Sequence, residues 1–262
     1  MSVLAYIVLF SIVGGALSVL AAAVFLLFPD RVRRASLPYL VSFAIGAMLG
    51  AAFLALLPHA VLTADADIHE VTLAVLVGLL VFFILEKLVL WRHCHTTHCE
   101  VHGADTDDHH HHAVAPAGVL VLVGDSFHNF VDGVLIAAAF LTDINLGIVT
   151  ALAVAAHEIP QEVGDFAILL ESGFNRARAF VFNILSSLAS VAGGVLAYYA
   201  LQQVQAVVPF VLALAASSFI YVAVADLIPG LHKRTEVKAA VEQVLLIVAG
   251  VVVIYLAHSA VH

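Results

Sequence analysis

His157-Glu158-Ile159-Pro160-Gln161-Glu162-Val163-Gly164-Asp165 is a run of ionisable and amide side chains set inside an otherwise apolar segment, Leu146 to Leu170. That segment is long enough to cross a bilayer as a helix. A charge in hydrocarbon costs several kcal/mol, so a cluster of ionisable groups at that depth marks a functional site before it marks anything else. One other apolar segment carries a similar interruption, His128-Asn129-Phe130-Val131-Asp132-Gly133. The two runs read as halves of one metal site on a transport path.

Composition supports the membrane reading. Of 262 residues, 63% are hydrophobic and 11% charged, too little polar surface to cover a soluble domain. The net charge of -9 says little about partners, because much of the acid lies in loops or inside the apolar runs. Only 10 residues are Lys or Arg, and they form no basic patch, which excludes nucleic acid as a partner. Cys94 and Cys99 share one His-rich loop, a placement that argues against a disulfide framework and for affinity toward soft metals.

Eight apolar runs are long enough to span, at 1.5 Å per residue, a core of roughly 30 Å. They cover about Val3 to Phe28, Leu37 to Leu62, Val71 to Leu90, Val114 to Leu141, Leu146 to Leu170, Ala177 to Ala200, Val207 to Ile228 and Ala239 to Val261. Each run is continuous rather than alternating and must satisfy its own backbone, so the expected fold is an all-α polytopic membrane protein with eight transmembrane helices. Residues 1–262 are expected to form one transporter domain lying in the lipid bilayer. Every basic residue falls at an odd-numbered connection: Arg31, Arg33 and Arg34; Lys87 and Arg92; Arg176 and Arg178; Lys233, Arg234 and Lys238. By the positive-inside rule those connections face the cytoplasm and both termini face out of a cell membrane.

The third connection, at about 92–113, holds His93, Cys94, His95, His98, Cys99, His102 and His109 to His112. It is too polar and repetitive to build a core. It reads either as a solvated loop or as a labile metal-collecting loop on the cytoplasmic side, and both descriptions can hold at once, because flexible His and Cys bind divalent ions without folding.

Helical spacing decides which groups meet. His128 and Asp132 are four apart on one face, Asn129 sits about 100° round, and Asp125 lies one turn earlier on the side of His128. In the next span His157 and Gln161 share a face, Glu158 and Glu162 share the adjacent one, and Asp165 continues that stripe. Pro160 removes a backbone hydrogen bond between them. A linker of only Thr142 to Asn145 makes the two spans an antiparallel hairpin, with both motifs about half-way along.

His128, Asn129, Asp132, His157, Glu158, Gln161 and Glu162 are therefore the candidate ligands. Their mixed nitrogen and oxygen set suits Zn2+, Fe2+, Mn2+ or Cd2+ carried as cargo, with no catalytic cofactor. Absence of Cys from every span fits exchange better than permanent retention. Other readings stand beside this one. The groups can be hydrogen-bonded packing residues. His157-Glu158-x-x-Gln161 is one residue from the HExxH of zinc proteases, and His128 and His157 can be axial haem ligands. An intramembrane zinc- or haem-dependent enzyme is thus the alternative, although carboxylates are costly beside an apolar porphyrin.

Gly124-Asp125-x-x-His128-Asn129-Phe130-x-Asp132-Gly133 with His157-Glu158-Ile159-Pro160-x-Glu162-x-Gly164-Asp165-Phe166 resembles the paired signatures of ZIP (Zrt/Irt-like) metal transporters, in the branch whose fifth helix reads HEIPHE. Leu56-Leu57-Pro58-His59-Ala60, Phe83-x-Leu85-Glu86-Lys87 and Asp226-x-x-Pro229 extend the resemblance over most of the chain. It implies a ZIP-like 3+2+3 bundle, often a homodimer, that moves divalent metal into the cytosol through a site between helices 4 and 5. His128, Asp132, His157 and position 161 would form the main site, with Asn129, Glu158 and a shared Asp132 adjoining. His59 would stand near the outer mouth and Asp226 toward the inner end.

This chain departs from that pattern at three places. Gln161 stands where the branch has His, span two carries Ala51 and Ala55 where relatives often have Asp and His, and span six has no carboxylate, only Asn183, Ser187 and Ser190 at helical spacing.

Overall fold

The computed structural model describes residues 1–63, 67–94, 114–232 and 236–259. Among them there is no strand, and eight long helices account for the fold. These are α1 (Val3–Phe25), α2 (Asp30–Leu62), α3 (Ile68–Cys94), α4 (Val114–Thr142), α5 (Ile144–Glu171), α6 (Arg176–Gln203), α7 (Gln205–Leu231) and α8 (Val237–Ser259). Seven of the eight are apolar and long enough to cross a membrane. The exception is α5, which has the length but spends its middle turns on His157, Glu158, Gln161, Glu162 and Asp165.

Two boundaries differ most from expectation. Helix α2 starts at Asp30 rather than Leu37, because a first turn needs no apolar residues. Asp30 sits where the helix dipole favours an acid, and its carboxylate accepts a hydrogen bond from Arg33. Helix α3 runs on to Cys94, so the His-rich connection begins later than 92; its residues 95–113 lie outside the described ones.

Local chemistry sets the turns around the polar motifs. Asp143 is the single residue between α4 and α5, and its carboxylate accepts from Asn145 N at 2.8 Å and Leu146 N at 3.0 Å. This N-cap satisfies donors that the start of α5 leaves open, and it folds the hairpin back tightly. Gly173, at φ 85°, ends α5. Phe174 N bonds Leu169 O at 3.0 Å and Gly173 N bonds Leu170 O at 3.1 Å, a Schellman closure whose left-handed residue favours glycine. Asn175 then caps α6 by accepting from Arg178 N at 2.8 Å.

The helices pair in two equivalent sets: α1 with α5 and α6 with α4 in one, α2 with α8 and α7 with α3 in the other. The first three and the last three helices thus make matching contacts around the α4–α5 hairpin, the expected 3+2+3 arrangement. Glycines permit the closest crossings. A Cβ at Gly133 would lie 1.8 Å from Ser190 O, and one at Gly193 would lie 2.0 Å from Phe130 O. On the other side, a Cβ at Gly46 would lie 2.0 Å from Ile247 O, and one at Gly250 would lie 2.4 Å from Phe43 O. Backbones that close gain the van der Waals contact that holds helices together in lipid. Helices α2 and α7 also correspond, each opening into a π-helical segment, Ala51–Leu56 and Val222–Leu227, just before Pro58 and Pro229. Helices α3 and α8 lie outermost, with only 11% of their apolar stretches buried.

Candidate metal centre

Helix α5 touches α1, α2, α4 and α6, so its middle turns are enclosed on several sides. There His157 and Glu158 are 2% and 1% exposed and meet Asp132, 1% exposed, and the half-buried His128 from α4. The two imidazoles face each other at 3.2 Å between Nε2 atoms. Asp132 Oδ2 lies 3.4 Å from His128 Nε2 and 3.3 Å from His157 Nε2. Glu158 Oε1 closes the group at 3.7 Å and 3.9 Å from the same two nitrogens.

The protonation pattern inside this group follows from its neighbours. Ala153 O can only accept, so His157 Nδ1, 3.0 Å away, donates to it and Nε2 carries the lone pair. Asp132 and Glu158 have buried carboxylate oxygens that make no hydrogen bond. His157 Nε2 then accepts from His128 Nε2, while the lone pairs of the two carboxylates converge on the same point with no hydrogen bond of their own, an arrangement that a cation or a shared proton stabilises. Donors 2.0–2.1 Å from a tetrahedral ion stand about 3.3 Å apart, and the observed separations of 3.2 to 3.9 Å bracket that spacing. Phe219 of α7, 1% exposed, sets its ring edge-on to His157 at 5.8 Å and closes that side with hydrocarbon.

A second group adjoins the first through Glu158. Asp125, Glu158 and Glu162 are buried, and each presents a carboxylate oxygen within 4.8 Å of the others. Asp125 accepts from Asn129 Nδ2 at 2.9 Å and from the Ser186 hydroxyl of α6. Glu162 is fully buried with both oxygens unpartnered, and Asn183 of α6, also fully buried, lies beside it. The chain therefore brings together ligand-type groups for two adjacent cations sharing one carboxylate, or for one cation that moves between two positions.

The sequence-expected residues fall as follows. His128, Asp132, His157 and Glu158 form one cluster, and Glu162 joins Glu158 in the other. Asn129 turns its amide to Asp125. Gln161 is half-buried one turn after His157 and has no hydrogen bond to the four. Asp125, read only as a same-side neighbour of His128, is a full member of the second cluster. Ser186 was not singled out at all, because the expected stripe on α6 ran through Asn183, Ser187 and Ser190. Its position three residues after Asn183 was the available signal. Elsewhere Met48 is buried in the apolar core, and Glu86 accepts a hydrogen bond from the Tyr221 hydroxyl, tying α3 to α7.

Similarity to known proteins covers most of the chain. The profile described as "ZIP Zinc transporter" matches residues 90–258. Zinc transporter ZIP13 of Pongo abelii is 32% identical over 233 residues, covering 84% of this chain and 66% of that protein. Zinc transporter ZIP13 of Gallus gallus is 30% identical over 276 residues, covering 85% and 74%. Zinc transporter ZIP10 of Danio rerio is 41% identical over 130 residues, covering 47% and 15%. The chain spans about two thirds of the first of these relatives and much less of the last.

Proposed function

The chain belongs to the ZIP zinc transporter family, and from that premise we propose that it carries zinc, or a similar divalent cation such as Fe2+, Mn2+ or Cd2+, across a cell membrane into the cytoplasm. The family is one of transporters, which sets aside the protease and haem readings. The observation that carries the proposal is the convergence of His128, Asp132, His157 and Glu158 on one buried point, with no hydrogen bond made to the oxygens of the two acids. In this reading the four hold the ion in its main position, and Asp125, Glu158 and Glu162, with Asn129 orienting Asp125, receive it in the adjoining one. Gln161 borders the main position and tunes selectivity.

We take residues 1–262 as one eight-helix transporter domain, with α5 as the eighth span. Its energetic cost in lipid is met by burial against α1, α2, α4 and α6. Distribution of Lys and Arg supports external termini and a cytoplasmic His-rich connection that collects the ion on release. Exposed apolar faces on α3 and α8 are the surfaces available to lipid or to a second copy in a homodimer.

Uptake of Zn2+, Fe2+, Mn2+ and Cd2+ into proteoliposomes tests the reading. Wild-type protein is expected to load at least one of them down its gradient. His157→Ala is expected to abolish loading while the protein remains folded by circular dichroism. Undiminished uptake by folded His157→Ala sinks the site assignment.

A further inference from the structure

A second imidazole pair stands apart from the centre. His59 lies three residues short of the end of α2 at Leu62, and His258 one residue short of the end of α8 at Ser259. Their ring centroids are 5.4 Å apart with the rings at 79°. The corresponding values for His128 and His157 are 5.5 Å and 80°. His59 also repeats the local arrangement of His157, since its Nδ1 lies 2.9 Å from the carbonyl four residues earlier, Ala55 O. A carbonyl only accepts, so the proton sits on Nδ1 and Nε2 is the metal-ligating nitrogen. Both side chains are half-buried, which combines reach with access.

Between Met48 and His59, α2 carries only apolar residues, Gly50 and Pro58. His59 is therefore the first side chain with metal-ligating chemistry met along α2 from its buried middle toward its end. We propose that His59 and His258 form a second divalent-metal site, a two-imidazole site completed by water. Borderline ions such as Zn2+, Co2+ or Ni2+ suit two imidazoles and water. With two ligands among the described residues against four, this site holds its ion more weakly than the central one and exchanges it faster. The site itself stands on the pair's geometry; its role as the station that collects the ion before the central site rests on the orientation proposed above, in which this end faces outside.

The test needs a readout local to the pair, because the His-rich connection also binds metal. The thiol introduced by His59→Cys in the full chain is alkylated with and without Zn2+, and modification of that peptide is followed by mass spectrometry. Bound Zn2+ shared with His258 is expected to slow alkylation about tenfold. Adding His258→Ala is expected to remove the protection, and adding His128→Ala with His157→Ala to leave it intact. The proposal is overturned if Zn2+ gives no protection, if protection survives His258→Ala, or if it disappears with the central histidines. If His59→Cys fails to fold, the mirrored pair of His258→Cys and His59→Ala reads the same outcomes. Loss of transport at the central site leaves this protection unchanged, so the two readings fail separately.

Discussion

The two sets of helices pack in the same manner yet bury different chemistry. Around α2, α3, α7 and α8 the interior is apolar, rich in alanine with larger side chains such as Ile45, Met48, Leu212 and Phe219, and its buried polar side chains among the described residues are the hydroxyls of Ser42, Ser217 and Ser218. Around α1, α4, α5 and α6 the glycine-mediated crossings recur, but the interior adds Asp125, Asn129, Asp132, His157, Glu158, Glu162 and Asn183. Since the first set packs without a single buried carboxylate among its described residues, packing does not require them in the second. Removing an ion's ligands and disturbing a crossing should therefore have separable effects.

The largest effect expected is on the crossings. Gly133→Val places a side chain into the backbone of Ser190, and Gly46→Val places one into that of Ile247. Each is expected to lower stability by about 3 kcal/mol or more, at or beyond the upper end of ordinary overpacking, because the obstruction is backbone. Thermal unfolding in detergent should show similar losses for both; a large loss in only one would break the equivalence of the two sets.

The carboxylates should behave in the opposite way. Glu162→Gln and Asp132→Asn are expected to cut metal uptake at least tenfold. Melting temperature should stay level or rise, because a buried acid without a donor opposes folding in hydrocarbon. A fall in melting temperature with unchanged transport would make them packing groups after all.

Smaller effects sharpen the picture at its edges. Asp143→Ala removes the cap of α5 and should cost about 1 kcal/mol, seen as a modest shift in the unfolding midpoint. Ser186→Ala takes a donor from Asp125 and should cost about 0.5–1.5 kcal/mol. Its effect on uptake should be weaker than that of Glu162→Gln. Gln161→His is expected to alter the order of preference among Zn2+, Fe2+, Mn2+ and Cd2+ with little change in stability; an unchanged order would remove Gln161 from the ion's surroundings.

Much of this was legible in the sequence because lipid makes polar residues conspicuous. His128, Asp132, His157 and Glu158 stand out in apolar runs, and a 3.6-residue period puts them on facing sides of a short-linked hairpin. What the sequence concealed were departures from that period. The π-helical segments Ala51–Leu56 and Val222–Leu227 consist of ordinary apolar residues, apart from Asp226, and give no compositional sign of the extra residue per turn. Ser186 is a different case: it precedes the interruption of α6 at Leu188 and lies three residues after Asn183, so helical spacing places it beside that residue, although a stripe drawn through Asn183, Ser187 and Ser190 passes it by. Contacts between distant helices, such as His59 with His258, have no local signature at all.

The one-residue turn at Asp143 also acts as a ruler. His128 lies 15 residues before it and His157 14 after, so at 1.5 Å per residue they stand about 22.5 and 21 Å from the hairpin, nearly level with each other. With no slack in the connection, α4 and α5 cannot slide lengthwise past one another. The distance between the facing imidazoles then changes only if the two helices splay from the end opposite Asp143 or roll about their own axes. Lengthening the turn by a few glycines would free that sliding and uncouple the level of one histidine from the other, while leaving every ligand in place.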